Sequence, residues 1–407
     1  TDWILIAVGI LVGSIIGILS ARAVKMTAMP QMVALFNGVG GGAVALIAWS
    51  EFRAFDGVYP DLAIAIPSLF AAIVGSVSFW GSNIAFGKLQ EILPGRPIKL
   101  PGQQVINALL LLIAIACAIA IGAGETNEWV FVAMLVVAAI LGNMVVLPIG
   151  GADMPVVISL LNAFTGLSAA AAGIALNNIA LIVAGILVGA SGSILTKLMA
   201  DAMNRSIWNI VAGGFGGGAS GGQLAGIPEG ATVKSTTAQD AALQLAYAQQ
   251  VVVVPGYGMA VAQAQHAVRE LQDELEKRGV TVLYAIHPVA GRMPGHMNVL
   301  LAEADVPYDL LKEMDEVNPE FQRTDVSLVI GANDVTNPAA RDNEQSPIYG
   351  MPILEVDKSE SVIVLKRSMN PGFAGIENEL YYSPSTALLF GDAKESVANI
   401  AAELNDI

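Results

Sequence analysis

Long apolar runs dominate the first half of the chain. A helix that crosses a bilayer needs about 20 mostly apolar residues, and seven runs of roughly that length precede residue 206. They cover residues 3–21, 31–50, 62–87, 104–122, 129–147, 155–175 and 179–200. The pattern predicts a transmembrane helical domain of seven spans over residues 1–206.

The loops between these runs differ in charge. One set carries the cations Arg22, Lys25, Lys88, Arg96, Lys99, Lys197 and Arg205, whereas the other set is acidic apart from Arg53. Cytoplasmic loops collect Lys and Arg. We therefore predict that the N-terminus lies outside and that everything after residue 200 lies in the cytoplasm.

Apart from Lys197, near the end of the seventh run, the seven runs contain no Lys, Arg, Asp, Glu or His, so a path of titrating side chains is not expected inside this chain. The runs do contain uncharged polar side chains, namely Asn37, Ser82, Asn83, Asn107, Asn143, Asn162, Thr165 and Ser191. Polar groups at membrane depth face a partner or water. Each of them is therefore either a contact between helices or a ligand on a transport path.

Asp153 stands just before the sixth run, two residues ahead of Pro155. Aspartate is a common residue at the start of a helix, and proline is favoured in the first turn. Asp153 therefore either caps this helix or gates a polar path that continues deeper at Asn162.

The pattern changes after residue 206. Residues 212–222 are almost entirely Gly, Ala and Ser, which is the composition of a flexible linker. Thr237 and Asp240 then form a loose capping box that predicts a helix through Gln249. We assign residues 207–250 to a glycine-rich hinge and linker helix.

Short β-branched runs follow and alternate with helical stretches such as Ala260–Arg278. Six buried strands are predicted at Val251–Val254, Val280–Ile286, Asn298–Leu301, Val326–Ile330, Val362–Leu365 and Ala387–Phe390. Parallel strands are buried on both faces and are joined by crossover helices. Residues 251–407 are therefore predicted to form an α/β, Rossmann-like, doubly wound parallel sheet, which makes the chain multi-domain.

A glycine motif follows the first predicted strand, with Gly256, Gly258 and Val261 in the spacing Gly-x-Gly-x-x-Val. Two glycines permit a tight turn and a close approach of a pyrophosphate. Strand, turn and helix stand where a dinucleotide site needs them. The motif predicts a bound dinucleotide, against the alternative of a purely structural turn.

The residues that follow two of the predicted strands distinguish between NAD(H) and NADP(H). NAD sites usually have an acid at the end of the second strand, but here that strand is followed by His287-Pro288. The fifth strand is followed by Lys366, Arg367 and Ser368, which suit a 2′-phosphate. We predict NADP(H), with a solvated basic pair as the alternative.

Three further loops end strands on the same edge, at residues 289–295, 331–335 and 391–393. Each offers backbone amides and one polar anchor. Asn333 and Asp334 either bind the cofactor or cap the following turn, and Arg292 either binds the cofactor or pairs with surface acids. Residues 371–375 are typical of a mobile lid or of a simple glycine-rich turn.

Charge and composition narrow the function further. The net charge of −15 lies almost wholly in the second half, which argues against a nucleic-acid partner. The single cysteine, Cys117, lies in an apolar run, and the three histidines have no metal-ligand spacing. No metal site is predicted.

Several strings together resemble the β subunit of proton-translocating NAD(P)+ transhydrogenase. In the second half they are residues 255–265, 289–298, 331–334 and 366–369, and in the first half residues 29–30, 85–89, 150–155, 203–206 and 212–216. The likeness spans the whole chain. It implies hydride transfer between NAD(H) on a partner α subunit and NADP(H) on this chain, coupled to proton movement across the bacterial cytoplasmic (inner) membrane.

The resemblance also implies roles for individual residues. Around NADP(H) it points to Tyr257, Val289, Ala290, Gly291, Arg292, Met293, Pro294, Gly295, Gly331, Ala332, Asn333, Asp334, Val335, Gly350, Met351, Lys366, Arg367, Ser368, Met369, Asn370, Pro371, Gly372, Phe373, Asp392 and Ala393. Asp334 would sense the state of the cofactor. Along the proton path it points to Ser82, Asp153, Asn162 and Ser191, with Arg205 at the junction with the hinge.

Two departures from the family change the expectation. Asn37 stands where some members have a histidine, so the proton-binding group is expected elsewhere, on a helix of a partner subunit. Family β chains usually begin with two more spans, so a longer N-terminus is expected. The resemblance further implies a dimer of heteromers with α subunits carrying the NAD(H) domain and further membrane helices.

The mechanism predicted from these observations is conformational. Proton occupancy in the bundle changes how the domain beyond the hinge binds NADP(H), so that hydride transfer occurs in one state only. The alternative from a different class is a secondary transporter or channel with a cytoplasmic nucleotide-sensing domain. A potassium channel would need a Thr-Val-Gly-Tyr-Gly filter, which this sequence lacks.

Overall fold

A computed structural model gives the architecture, and it describes residues 3–24, 28–90, 92–94, 98, 100–150, 153–204, 206–207, 232–293, 295–346, 348–372 and 374–407. Seven helices of its first half are long and apolar enough to cross a membrane, which confirms the prediction. They are α1 (Trp3–Ala23), α2 (Met29–Ala54), α3 (Leu62–Leu89), α4 (Gln103–Gly122), α5 (Glu128–Val146), α6 (Met154–Ala175) and α7 (Ile179–Ala202).

Two of these helices extend beyond the predicted spans and bring in ionisable residues. Helix α2 continues to Ala54 and includes Glu51, and α3 continues to Leu89 and includes Lys88. Glu51 is only 9% exposed and Lys88 only 3%. The expectation that the helices carry no acid or cation is therefore wrong at their ends.

Close contacts between glycines hold the bundle together. A Cβ on Gly75 of α3 would lie 2.6 Å from the carbonyl oxygen of Gly41 in α2, and one on Gly185 of α7 would lie 2.4 Å from the backbone of Ala170 in α6. In an apolar solvent small residues allow backbones to approach and pack closely. The small residues of these helices therefore let the helix backbones pack closely.

The outer helices present apolar side chains to the surroundings. Helix α1 has no buried residue, and α4 buries only Gln103, Ala114 and Ile121. Large exposed side chains such as Trp3, Ile10 and Leu112 would be costly in water. These surfaces suit lipid or the helices of another subunit.

The second half contains a six-stranded, fully parallel sheet in the order β3-β2-β1-β4-β5-β6. The strands are β1 (Gln250–Pro255), β2 (Thr281–Ile286), β3 (Leu311–Glu313), β4 (Val326–Ile330), β5 (Ser361–Lys366) and β6 (Thr386–Phe390). This is the doubly wound order of a dinucleotide-binding domain, as predicted.

One predicted strand is wrong. Residues 298–301 lie in a helix, His296–Glu303, and the third strand is Leu311–Glu313. A short apolar run fits a buried helix as well as a strand, and Gly295 at φ +63° provides the turn into the helix.

Helices cover both faces of the sheet. The remaining α-helices among the described residues are Ala238–Ala246, Tyr257–Ala262, Gln265–Lys277, Met314–Val317, Ala339–Asp342 and Ala393–Asp406. The predicted helix Ala260–Arg278 is broken, because Gln263 adopts a left-handed conformation with φ +51°. The linker helix starts as predicted, with Thr237 accepting a hydrogen bond from the backbone of Asp240.

The predicted glycine hinge lies almost entirely outside the described residues. The segment after it runs beside β6, where Thr236 donates to Leu388 O at 2.9 Å and Leu388 donates to Lys234 O at 2.8 Å. Unpaired edge strands favour unwanted association. This segment covers one edge of the sheet.

Candidate functional site

A cleft of about 200 Å³ opens at the carboxyl ends of the central strands, where the order of the sheet reverses between β1 and β4. Open α/β sheets bind ligands at this point. Thirteen residues line the cleft: Gly258, Ala262, Gly331, Ala332, Asn333, Leu365, Lys366, Arg367, Ser368, Asn370, Pro371, Gly391 and Ala393. Ten of them were predicted as cofactor-binding residues.

The glycine motif forms one wall of the cleft. Gly256 donates to Ile330 O at 2.9 Å and Gly258 donates to Gly331 O at 3.0 Å. A Cβ on Gly256 would lie 2.4 Å from the backbone of Ala332, and one on Gly258 would lie 2.6 Å from Gly331 Cα. The loops after β1 and β4 therefore touch, and only glycine fits there.

The opposite wall carries the basic residues that follow β5. Lys366 is half-buried, donates to Asn370 O at 2.9 Å and lies over the ring of Tyr381. Burial lowers the pKa of Lys366, and the negative charge of Asp334 acts in the opposite sense. Arg367 and Ser368 are exposed and line the same cleft.

Asn333 is fixed in place by two residues that were not predicted. Tyr381 donates from its hydroxyl to Asn333 Oδ1 at 2.9 Å, and Asn378 donates to Asn333 O at 3.0 Å. The side chain of Asn333 makes no capping bond to the short 3₁₀ turn Asp334–Thr336. The interpretation of Asn333 as a simple cap is therefore wrong.

The glycine-rich segment after β5 folds over Asn333 and Asp334. Ala374 donates from its backbone to Asp334 Oδ2 at 2.9 Å. A Cβ on Gly372 would lie 2.6 Å from Asp334 Oδ1. Residues 369–372 and 374–375, called here the lid segment, thus rest against the end of β4.

The loop after β2 lies apart from the cleft lining. Val289 donates to His287 Nδ1 at 3.2 Å, and Nε2 of His287 bonds to Pro352 O at 2.9 Å. Arg292 donates from its backbone to His296 Nδ1 at 3.1 Å, and its guanidinium lies 4.4 Å from the centre of the Tyr257 ring. Gly291 has φ +109°, which allows this turn.

The same loop contacts the helical bundle. Nη1 of Arg292 donates to Leu89 O at 3.4 Å, and Val289 packs against the buried cluster at the ends of α3, α6 and α7. Asn204, just after α7, donates to Tyr349 O at 3.3 Å. Two loops that were predicted to bind the cofactor therefore lie against the bundle.

The other predicted cofactor residues have diverse surroundings. Val335 and Met369 pack in the apolar core beneath the sheet, and Gly350 lies against Asn204. Asp392 caps the last helix through the backbones of Lys394 and Glu395. The cleft lining does not include them, nor Val261, Ala290, Met293, Gly295 or Met351, while Pro294 and Phe373 lie outside the described residues.

Three of the predicted polar membrane residues, Asn37, Ser82 and Thr165, belong to one polar network. Asn37 of α2 donates to Ser82 Oγ at 2.9 Å and to Ser78 Oγ at 3.4 Å, and Ser78 bonds to Thr165 of α6 at 2.6 Å. Ser78 and Ser82 are buried. The network joins three helices in the interior of the bundle.

The remaining membrane candidates do not gather there. Asn162 is half-buried on α6, whereas Ser191 is exposed on α7 and donates to Val188 O of the same helix at 3.2 Å. Asp153 occupies the N-cap position directly before α6, as predicted, but its side chain makes no capping bond, so the simple cap interpretation is wrong. Arg205 lies outside the described residues.

Sequence reasoning missed Ala262, Leu365, Tyr381 and Asn378 at this site. Tyr381 and Asn378 follow the lid segment at no motif position, and no local signal marks them as supports of Asn333. Ser78, which precedes Ser82 by one helical turn, was missed in the bundle. Its spacing was the available signal, because residues four apart share one helix face.

The cleft fits a phosphorylated dinucleotide. Gly256 and Gly258 bring the loops after β1 and β4 together at the cleft, in the turn where this kind of fold binds a pyrophosphate. Two cations and a hydroxyl at the end of β5 suit a phosphate dianion. No group of three or more possible metal ligands exists among the described residues.

A family model and individual relatives both match this chain, and they point to the same protein family. A family model described as NAD(P) transhydrogenase beta subunit matches residues 1–403. Two curated relatives from Rhodospirillum rubrum, both named NAD(P) transhydrogenase subunit beta, are each 49% identical over 409 residues. Each alignment covers 99% of this chain and 88% of the relative, so the likeness includes both the helical bundle and the sheet.

Proposed function

We propose a function from the premise that this chain belongs to the family of NAD(P) transhydrogenase beta subunits: it binds NADP(H) and exchanges hydride with NAD(H) on an α subunit. The family is one of oxidoreductases. The enzyme interpretation is therefore confirmed over a transporter or channel with a nucleotide-sensing domain. We further propose that hydride transfer is coupled to proton movement through the helical bundle.

The observation that carries the cofactor assignment is the position of Lys366, Arg367 and Ser368 in the cleft at the switch point. A 2′-phosphate carries about two negative charges and accepts strong hydrogen bonds from cations. NAD(H) lacks this phosphate. These three residues therefore favour NADP(H), and the loop after β2 has no acid for a free 2′-hydroxyl between Ile286 and Gly295.

In the hydride transfer itself, the residues around the cleft bind and orient the cofactor and do not act as acid or base. When bound, the nicotinamide carries the hydride, and direct transfer needs only two rings held in the correct geometry. The lid segment, latched to Asp334, excludes water and holds the cofactor. We assign Asp334 and Asn333 to this holding role, with Asn378 and Tyr381 as positioning residues.

Helix α3 provides a physical link between the bundle and the cofactor domain. Ser78 and Ser82 belong to the polar network, and Leu89 of the same helix accepts the hydrogen bond from Arg292. Lys88 anchors this end by donating to Leu147 O at 2.5 Å and Ile149 O at 2.6 Å. A shift of α3 would therefore reach the loop that carries Arg292.

This link supports a conformational coupling. Proton occupancy near Asn37 and Ser82 shifts α3, and the contact between Leu89 and Arg292 passes the shift to the loop beside Tyr257. Coupling between two sites requires a packed element with two states, and each site must shift the equilibrium between those states. Asp153, Asn162 and Ser191 remain proposed members of the path, and Arg205 remains proposed at the junction.

The assembly and orientation are also proposed. A beta subunit implies an α subunit, and we propose a dimer of such heteromers in the bacterial inner membrane. The charge of the loops supports a cytoplasmic NADP(H) domain. The exposed apolar faces of α1 and α4 supply surface for lipid and for helices of the α subunit.

The decisive experiment uses the complex reconstituted in vesicles with its α subunit. Hydride exchange between NADPH and an oxidised NAD analogue is measured together with the pH inside the vesicles. Exchange that changes the internal pH and responds to an imposed gradient supports the proposal. Exchange without any response to the gradient contradicts the coupling.

A further inference from the structure

A buried acid lies at the end of the bundle remote from the sheet domain. The sheet domain contacts α3 at its C-terminal residue, Leu89, whereas Glu51 stands at the C-terminal end of α2 beside the start of α3. Glu51 is 14 residues from Asn37, which is about 21 Å along the helix. The acid is therefore distinct from the polar network of Asn37 and Ser82.

Two hydroxyl groups connect Glu51 to a surface cavity. Ser68 of α3 donates to Glu51 Oε2 at 2.9 Å. Tyr59, in the loop between α2 and α3, lies 3.0 Å from Ser68 Oγ. Since Ser68 uses its single proton on Glu51, the Tyr59 hydroxyl donates to Ser68. All donors in this chain of bonds therefore point toward the carboxylate.

A surface cavity lies at the outer end of this chain of hydrogen bonds. Its volume is about 170 Å³, and its lining includes Tyr59, Asp61 and residues 121–124 after α4. A volume of roughly 10–15 Å³ suffices for one water molecule, provided that polar partners are present. Tyr59 therefore borders a space large enough for water, while Ser68 is fully buried.

No described cation forms an ion pair with Glu51. Arg53 pairs with Glu128 at 3.5 Å, and Trp49 donates to the same carboxylate at 3.1 Å. The other ionisable side chains described at this end are Asp56, Tyr59, Asp61, Cys117 and Glu125. Burial raises the pKa of Tyr59 to about 12, so this hydroxyl keeps its proton at neutral pH.

An unpaired acid inside a membrane helix is costly and is retained where it has a role. Its hydrogen-bonded partners lead to the cavity and not to another helix backbone. A purely structural acid would be expected to pair with a cation or cap a helix. Glu51 does neither among the described residues.

We propose that Glu51 is the proton-loading site at this end of the bundle and that Tyr59 and Ser68 relay the proton from the cavity. A hydronium in the cavity gives a proton to Tyr59, Tyr59 gives its own to Ser68, and Ser68 gives its own to the Glu51 carboxylate. Water and a neutral Glu51 result, and no electron moves. The inference rests on the proposed function.

The test compares Glu51→Gln with Glu128→Gln in the full complex with α subunits, reconstituted in vesicles. Glu128 is a matched control, because it is an exposed acid of the same end that does not join the relay. Glu51→Gln should slow dinucleotide-driven proton movement by about a hundredfold, as for loss of a positioned proton carrier. NADPH affinity should stay unchanged, and Glu128→Gln should behave as the unmodified complex does.

The relay is tested separately by Ser68→Ala, which keeps the acid. It should slow proton movement by about tenfold, the effect of losing one hydrogen bond to a charged group. Glu51→Asp should restore part of the rate and shift its pH profile. These readouts distinguish a relay from a structural contact.

Unchanged proton movement in Glu51→Gln would overturn the proposal. If this variant fails to assemble, unchanged rates in both Ser68→Ala and Tyr59→Phe would overturn it equally. Failure of the unmodified complex to move protons would instead contradict the proposed function. The two failures are therefore distinguishable.

Discussion

Asp334 and Ala374 are joined by a hydrogen bond of 2.9 Å that closes the lid segment onto the end of β4. The acceptor is a carboxylate beside Lys366, so its charge is partly balanced within the cleft. Bonds from a backbone N–H to a carboxylate are stronger than neutral ones. The carboxylate of Asp334 is therefore positioned to control how long the lid stays closed.

Asp334→Ala should release the lid segment. Loss of a hydrogen bond to a charged acceptor costs about 1.5–3 kcal/mol, so we expect NADPH to leave about tenfold faster or more in stopped-flow fluorescence. Asp334→Asn retains an acceptor and should have a smaller effect. Glu377→Gln changes a nearby acid without touching Ala374 and serves as the control. Equal release rates in Asp334→Ala and the unmodified protein would contradict the latch.

Arg367→Ala should weaken binding of NADP(H) and leave NAD(H) on the α subunit unaffected. One charge-assisted bond to the phosphate contributes on the order of 1.5–3 kcal/mol, so the affinity should fall about 10- to 100-fold. Lys366→Ala should act in the same direction but also disturbs Asn370 and Tyr381. Lys358→Ala, a cation of the same domain that pairs with Glu355, is the control. Titration calorimetry that finds equal losses for both dinucleotides would contradict the cofactor assignment.

The spans and the glycine motif were predictable because each depends on local pattern alone. A run of about twenty successive apolar residues fits few structures other than a membrane-spanning helix. Gly256 and Gly258 follow a buried strand, and that context made the motif specific. The cations after β5 were predictable because a parallel sheet brings all its carboxyl ends to one edge.

Other features depend on tertiary contacts that the sequence does not display. Strand β3 has only three residues, two of them charged, and it exists because Tyr284 and Ile286 pair with it. Tyr381 reaches Asn333 from 48 residues away. Glu51 was placed in a loop because the apolar run ends at Ser50, yet α2 continues and buries it.

Gly258→Ala should prevent the loops after β1 and β4 from meeting. The new Cβ would lie 2.6 Å from Gly331 Cα, which is backbone and cannot rotate away. Overpacking of this kind costs about 1–3 kcal/mol, and it also narrows the cleft. We expect lower thermal stability together with loss of NADPH binding. Unchanged binding with an unchanged melting temperature would contradict the described turn.

Acid should destabilise the sheet domain through His287. Burial lowers the pKa of His287 to about 4, although the bond to Pro352 opposes this, whereas an unfolded histidine titrates near 6.5. Between these values the unfolded chain binds a proton that the folded chain does not. The free energy of unfolding therefore decreases as pH falls from about 6.5 toward 4, and the contribution is fully present above 6.5.

Hydrogen–deuterium exchange of β1 and β4 amides, corrected for intrinsic rates, measures this effect at pH 7 and pH 5. His287→Gln should reduce the difference between the two pH values. Part of the difference between pH 7 and pH 5 should persist in His287→Gln, because burial and the charge of Arg292 also lower the pKa of His296 to about 4. His266→Gln, on the helix surface, should change nothing. If the unmodified protein, His287→Gln and His266→Gln all show the same pH dependence of exchange, His287 does not cause the loss of stability in acid.

Asn204→Ala should weaken coupling while sparing the cofactor site. Asn204 donates to Tyr349 O and lies against Gly350, but it does not line the cleft. Single residues along a coupling route change the coupling by about 0.5–2 kcal/mol. We therefore expect the stimulation of hydride exchange by a pH gradient to fall several-fold in vesicles, with NADPH affinity unchanged. Lys197→Ala on the exposed face of α7 is the matched control. If Asn204→Ala instead lowers NADPH affinity and leaves the response to the gradient intact, this contact stabilises the site and does not transmit the state of the bundle.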